Sequence, residues 1–152
     1  MNVRIEHTSS PTEAEVSAIL TPLRAYNVAK AGQSGAEKFA LLVKDEQGDD
    51  VLGGLKGSIF YSWMFIELLV VPEQARGQGL GVRLMAMAED LAREKNCTGI
   101  WLDTFDFQAP EFYRSLGYNE CGQINDYPPG HRRYFFQKRL DQTDGVDSPL
   151  QR

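Results

Sequence analysis

The chain is poor in the residues that build metal centres and disulfide frameworks. It has only two cysteines and two histidines among 152 residues. Cys97 and Cys121 are too few and too far apart for a metal set or a disulfide scaffold. A reduced, cytoplasmic setting is therefore the expectation, with both thiols packed as small, buried or half-buried hydrophobes. His7 and His131 stand apart in sequence, and no metal is expected. Basic charge is also scarce. Lysine and arginine number 16 against 21 acids, a net charge of -5, which disfavours a general nucleic-acid role. No apolar run reaches membrane-spanning length, and the N-terminus lacks the apolar segment of a secretory signal. What remains is a 42% hydrophobic, 24% charged chain, enough for one domain with a real core.

The most informative stretch is Arg76-Gly77-Gln78-Gly79-Leu80-Gly81. Before it, Ile66-Glu67-Leu68-Leu69-Val70-Val71 reads as a strand closed by Pro72. After it, Leu80, Leu84, Met87, Ala88 and Leu91 recur at helical spacing. A glycine-rich turn opening a helix exposes main-chain N–H groups and a positive dipole end, which favour a phosphate. The spacing is not a P-loop, because Leu80-Gly81-Val82 stands where Lys and Ser or Thr belong. Nor do glycines at 77, 79 and 81 fit the dinucleotide fingerprint G-x-G-x-x-G.

Period and punctuation predict the remaining elements. Val3 to His7 alternates like a strand. Ser10-Pro11-Thr12-Glu13 reads as a helix start, with Pro22 as a break or kink and a second short helix or loop through Tyr26 and Val28. Phe39–Lys44 and Val51–Tyr61 suit a hairpin, and Phe65–Val71 the next strand. A helix is expected from Gly79 to Lys95, a strand over Gly99–Phe105 and a short helix over Ala109–Leu116. Strands over Tyr118–Ile124 and Arg133–Leu140 complete the order. Only the strand–helix–strand unit at 65–105 demands parallel pairing, so the sheet should be mixed. The domain is expected over 1–140, followed by a polar, disordered tail at 141–152.

A second signature lies at Thr104-Phe105-Asp106-Phe107-Gln108-Ala109-Pro110-Glu111-Phe112-Tyr113-Arg114-Ser115-Leu116-Gly117-Tyr118. The Arg-x-x-Gly-x-Gly loop after a Leu-x-Val strand resembles the acetyl-CoA loop of the GNAT superfamily. Ala109, Phe112, Tyr113, Gly117 and Tyr118 match that superfamily's Asn-x-x-Ala…Phe-Tyr-x-x-x-Gly-Phe/Tyr stretch, with Asp106 where Asn is usual. A Phe-Gln-Ala-Pro-x-Phe-Tyr segment and a Tyr-Pro-x-Gly-His segment at 127–131 resemble one subgroup. The resemblance covers roughly residues 3–140. It implies an α/β (α+β) GNAT fold, a mixed, mostly antiparallel sheet of about seven strands flanked by about four helices.

The resemblance further implies an N-acetyltransferase that uses acetyl-CoA as cosubstrate. The thioester carbonyl and pantetheine arm would meet the strand edge at Leu69, Val70 and Val71. The diphosphate would sit over Arg76, Gly77, Gln78, Gly79, Leu80, Gly81 and Val82. Tyr113 is the candidate acid that reprotonates the thiolate, since a phenol of pKa about 10 carries its proton at neutral pH. Glu67 is the candidate base. A carboxylate in an apolar strand is costly unless used or solvated. Strict alternation puts Leu68 and Val70 toward the core and Glu67 toward the cleft, where partial burial would raise its pKa.

Asp103 is a weaker candidate, facing either the site or a backbone turn. A carboxylate at Asp106 would repel nearby phosphates. Acceptor contacts are expected from Leu23, Tyr26 and Asn27, from Phe60-Tyr61-Ser62-Trp63 and from Tyr127. The acceptor would be a primary amine of a small molecule or peptide, attacking directly in a ternary complex. A non-catalytic acyl-CoA-binding module is the rival reading. An exposed sheet edge among the last strands makes a homodimer plausible.

Overall fold

The computed structural model describes residues 1–141. Apart from Asp141, the tail expected at 141–152 lies outside them. The chain forms two compact units, Met1–Ser34 and a second beginning at Gly35.

The first unit is built on one helix, α1 (Glu13–Ala31). Its cap is Thr12, not Ser10: the Glu15 N–H donates to Thr12 Oγ1 at 3.1 Å, and the Thr12 hydroxyl donates to Glu15 Oε1 at 3.0 Å. Ser10 and Thr12 each have a glutamate three residues on, Glu13 and Glu15, but it is the Thr12 hydroxyl that accepts from the main-chain N–H of its glutamate. The helix continues through Pro22 to Gly32, whose left-handed φ of 80° ends it. The helix is therefore unbroken at Pro22 and takes in Tyr26 and Val28, where a second short helix or loop is expected, and the strand expected at Val3–His7 is absent.

The second unit holds a six-stranded sheet in the order β1-β2-β3-β4-β6-β5. Its strands are β1 (Glu37–Lys44), β2 (Val51–Phe60), β3 (Trp63–Val70), β4 (Gly99–Phe105), β5 (Asn119–Asn125) and β6 (Arg132–Arg139). Helices α2 (Leu80–Glu94) and α3 (Pro110–Ser115) follow β3 and β4. Only β3 and β4 pair in parallel, and α2 supplies the crossover between them. The mixed, mostly antiparallel sheet matches the expectation, with six strands rather than about seven and three α-helices rather than about four among the described residues.

One face of the sheet is the core. Leu84, Met85, Ala88 and Ala92 of α2 are buried with Met64, Ile66, Ile100, Leu102 and Phe136 of the central strands. The stripe on α2 recurs at three- and four-residue spacing, as a helix lying on a sheet requires. Tyr61 and Ser62 both take positive φ, 48° and 62°, and make the tight β2–β3 turn. Cys97 is buried, but Cys121 on edge strand β5 is exposed, against expectation, because all of β5 is exposed. Among the described residues, no helix is long and apolar enough to cross a membrane.

Gly99 lies where the sheet packs tightly. A Cβ there would lie 2.6 Å from the Trp63 ring and 2.7 Å from the Lys138 carbonyl oxygen. A backbone oxygen cannot step aside cheaply, so Gly99→Ala should cost about 1–3 kcal/mol. Gly122→Ala, which meets nothing within 4 Å, should stay within ~0.5 kcal/mol of the parent. Urea unfolding midpoints read both; equal midpoints would contradict this packing.

Candidate active site

The site begins where β3 and β4 part. Their parallel pairing runs from Trp63↔Gly99 to Ile66↔Leu102 and stops. Both strands go on, β3 to Val70 and β4 to Phe105. On the other side of β3, Gly57 pairs with Ile66 and Lys56 with Leu68, so Glu67 is the extra residue of a β-bulge. The bulge reverses the alternation beyond it. Leu69 packs against the core, while Leu68 and Val70 are exposed. The expectation that Leu68 and Val70 face the core is thus corrected: strict period two does not survive an inserted residue.

The gap between the strands opens a cleft of about 810 Å³, within the usual range for a small-molecule site. Its walls are β3 from Ile66 to Val70 with Val71 just beyond it, the loop and first turn of α2, the end of β4, and α3 through Phe112 and Tyr113. Leu69, Val70, Val71, Arg76, Gly77, Gly79, Leu80, Gly81 and Val82 all line it, as do Glu67 and Tyr113. Of the cofactor-binding and catalytic residues nominated from sequence, Gln78 alone does not.

The loop end of this cleft is shaped for an anion. A short 3-10 turn at Glu73–Ala75 leads into Arg76. Gly77 and Gly79 have φ of 78° and 72°, and neither would meet any atom within 4 Å of an added Cβ. Glycine is needed there for the left-handed backbone, and the space above it is open. The Arg83 N–H donates to the Gly79 carbonyl at 3.0 Å as the first bond of α2. The N–H groups of Leu80, Gly81 and Val82 precede it and have no intrahelical acceptor. Gly79 offers no side-chain cap, and the first turn carries no acid. The donors and the dipole thus suit a diphosphate, with Arg76 beside them.

The other end carries the ionisable groups. Tyr113 is 7% exposed, yet it lines the cleft. Burial first, and the Asp103 carboxylate second, push its phenol up to about 12. It keeps its proton through the neutral range. Glu67 is not buried as expected: it is half-exposed and ion-paired with Lys56 Nζ at 2.6 Å. Asp103 faces the cleft and is held from β6, with Arg133 Nη2 at 2.8 Å from its Oδ1.

Sequence alone missed Lys56 and Arg133. Both act across strands, so register was the missing information. Asp106 does not line the cleft. It accepts from the Arg132 N–H at 3.1 Å and pairs with His131 Nδ1 at 2.9 Å, tying the loop after β4 to the loop before β6. Phosphate repulsion is therefore not its role. Phe60 and Trp63 sit by the β2–β3 turn, at the opposite end of β3 from the cleft, and are removed from the acceptor list. Tyr127 packs against Phe105, a cleft residue, at 5.6 Å. Leu23, Tyr26 and Asn27 belong to the first unit. Burial, with Glu37 nearby, raises the Cys97 thiol, which argues against a thiolate nucleophile. Among the described residues no group of three or more His, Cys, Asp or Glu could hold a metal.

Known proteins share this arrangement. Acetyltransferase Atu2258 of Agrobacterium fabrum is 36% identical over 128 residues, covering 84% of this chain and 92% of its own. Blasticidin-S acetyltransferase of Streptomyces morookaense is 44% identical over 105 residues, 68% of this chain and 76% of that protein. A crystal structure of an acetyltransferase from Bacillus cereus superposes with a TM-score of 0.79 at 37% identity, over 89% of this chain and 98% of that one. The model of the Acetyltransferase (GNAT) family matches residues 7–118. With its loop, splayed strands and tyrosine in place, the chain belongs to the GNAT family of acetyltransferases, whose acetyl donor is acetyl-CoA.

Proposed function

We propose that this acetyltransferase transfers the acetyl group to a primary amine of a small molecule, by direct attack in a ternary complex. The observation that carries the reading is the polarity of one continuous cleft. Main-chain donors and Arg76 lie at one end, and Glu67 and Tyr113 at the other. One relative of similar size bears the name of a small-molecule acetyltransferase.

The chemistry follows from what each group can do. A free alkylamine has a pKa of about 10.4, so it arrives protonated and cannot attack. Glu67 takes that proton and releases it to solvent. Its bond to Lys56 does not prevent this, since pairs this exposed are worth only about 0–1 kcal/mol. The neutral amine's lone pair then forms the C–N bond at the thioester carbonyl. Main-chain N–H at the splayed edge of β3 steadies the oxygen. As the C–S bond breaks, the attacking nitrogen sheds its second proton to solvent, and Tyr113 gives its phenolic proton to the sulfur and regains one from solvent. The products are the amide, the free thiol and a proton.

A panel of amines with acetyl-CoA and thiol detection tests the activity; thiol released by none of them would leave only the binding-module reading. Tyr113→Phe should lower kcat at least about tenfold, with acetyl-CoA affinity within about twofold of the parent. Unchanged kcat removes Tyr113 from the mechanism. Because folded Tyr113 holds its proton up to about 12, it stabilises the fold below pH ~10, where an unfolded tyrosine is still protonated. That stability falls as pH rises from 10 toward 12. Alkaline melts of Tyr113→Phe should show a shallower fall. For Glu67→Gln, the acidic limb of the pH–rate profile should disappear or shift. A profile superimposable on the parent's excludes Glu67 as the base.

A further inference from the structure

The first residues past the last β3–β4 pair, Ile66↔Leu102, are Glu67 and Asp103. Parallel register sends them to the same face of the sheet. Two carboxylates therefore flank the apex of the splay, and both line the cleft. Each is backed by a cation on the outer neighbouring strand, Glu67 by Lys56 of β2 and Asp103 by Arg133 of β6. Among the described residues Arg76, at the far phosphate end, is the one cationic side chain in the lining.

The Asp103 arrangement is the more rigid. Its side chain is 19% exposed against 41% for Glu67. Arg133 donates from Nε at 3.1 Å and approaches with Nη2 at 2.8 Å, and both contacts fall on Oδ1. Neither engages Oδ2. Arg133 itself lies over the rings of Tyr127 at 4.8 Å, Phe105 at 5.5 Å and Phe135 at 5.6 Å. A guanidinium held by three rings and a strand register positions the carboxylate rather than competing for the cleft.

We infer that Asp103 is an acceptor-binding residue, and that it selects amines carrying a second cationic group. The inference rests on the transfer reading above and deepens it. The reacting nitrogen must lose its proton, which suits the more solvated Glu67. A fixed carboxylate with a free oxygen does the opposite. It favours a cation that stays charged, and a partly desolvated site makes that contact strong. The acceptor then spans the apex, reacting nitrogen on the Glu67 side and permanent cation on Asp103 Oδ2. Arg133 is a positioning residue.

Putrescine and n-pentylamine, a dication and a monocation of similar length, separate the outcomes. Each is titrated by calorimetry into the full chain saturated with coenzyme A. The parent should bind putrescine at least about tenfold more tightly, and Asp103→Asn should abolish that preference with coenzyme A affinity unchanged. Equal affinities in the parent, or a preference that persists in Asp103→Asn, overturn the inference. The parent comparison decides alone if the variant does not fold. Supplying acetyl-CoA instead keeps the two readings distinct. Putrescine that binds by this rule without releasing thiol overturns amine transfer and leaves Asp103 as a cation site.

Discussion

Everything at this site depends on a hydrogen-bond ladder that stops early. β3 and β4 pair through Ile66↔Leu102 and then diverge. A parallel pair whose ladder ends before its strands do leaves main-chain donors and acceptors facing open space. Such groups are expensive to bury unpaired, so the gap calls for a ligand that pairs like a strand. The bulge at Glu67 keeps β3 bonded to β2 while re-aiming it relative to β4. It also moves Leu68 and Val70 from core to cleft. One inserted residue thus opens the site, lines it with apolar side chains and presents a carboxylate at its apex.

The second constraint is the uncapped helix. Most helix starts satisfy their N–H groups with a side chain. α2 does not: Gly79 precedes it in a left-handed conformation, and no acid occupies the first turn. α1 gives the contrast inside the same chain, with the Thr12 hydroxyl accepting from the Glu15 N–H and donating to the Glu15 carboxylate. The difference is chemical. α1 has a side-chain partner at its start, whereas the start of α2 stays open, as a diphosphate site requires. A Cβ on Gly81 would lie 3.3 Å from the Phe112 ring, so α3 approaches α2 closely at this turn.

The fold was legible in the sequence where period and punctuation agreed. The strand Gly99–Phe105 was read with the bounds it has. The helix after the glycine loop was also readable, because a glycine-rich turn at that point has few alternatives. Elements of the first unit were less so. Pro22 has a strong breaking tendency that the surrounding helix overrides, and Val3–His7 alternates without pairing to any strand. At the site, loop residues and Tyr113 could be nominated because each belongs to a contiguous motif. Lys56 and Arg133 could not. Their partners are 11 and 30 residues away in sequence, and only register brings them together. The bulge was invisible for the same reason, since a run such as Ile66–Val71 gives no sign of which residue is extra.

The central claim is that the opened strands and the uncapped helix form one binding surface for acetyl-CoA. A crystal structure of the full chain with coenzyme A bound tests it most directly. The account predicts diphosphate oxygens accepting from the main-chain N–H groups of Leu80 to Val82, and the sulfur between the edge of β3 and Tyr113. Coenzyme A ordered elsewhere, with the helix mouth bare and the splayed edge of β3 uncovered, would contradict it.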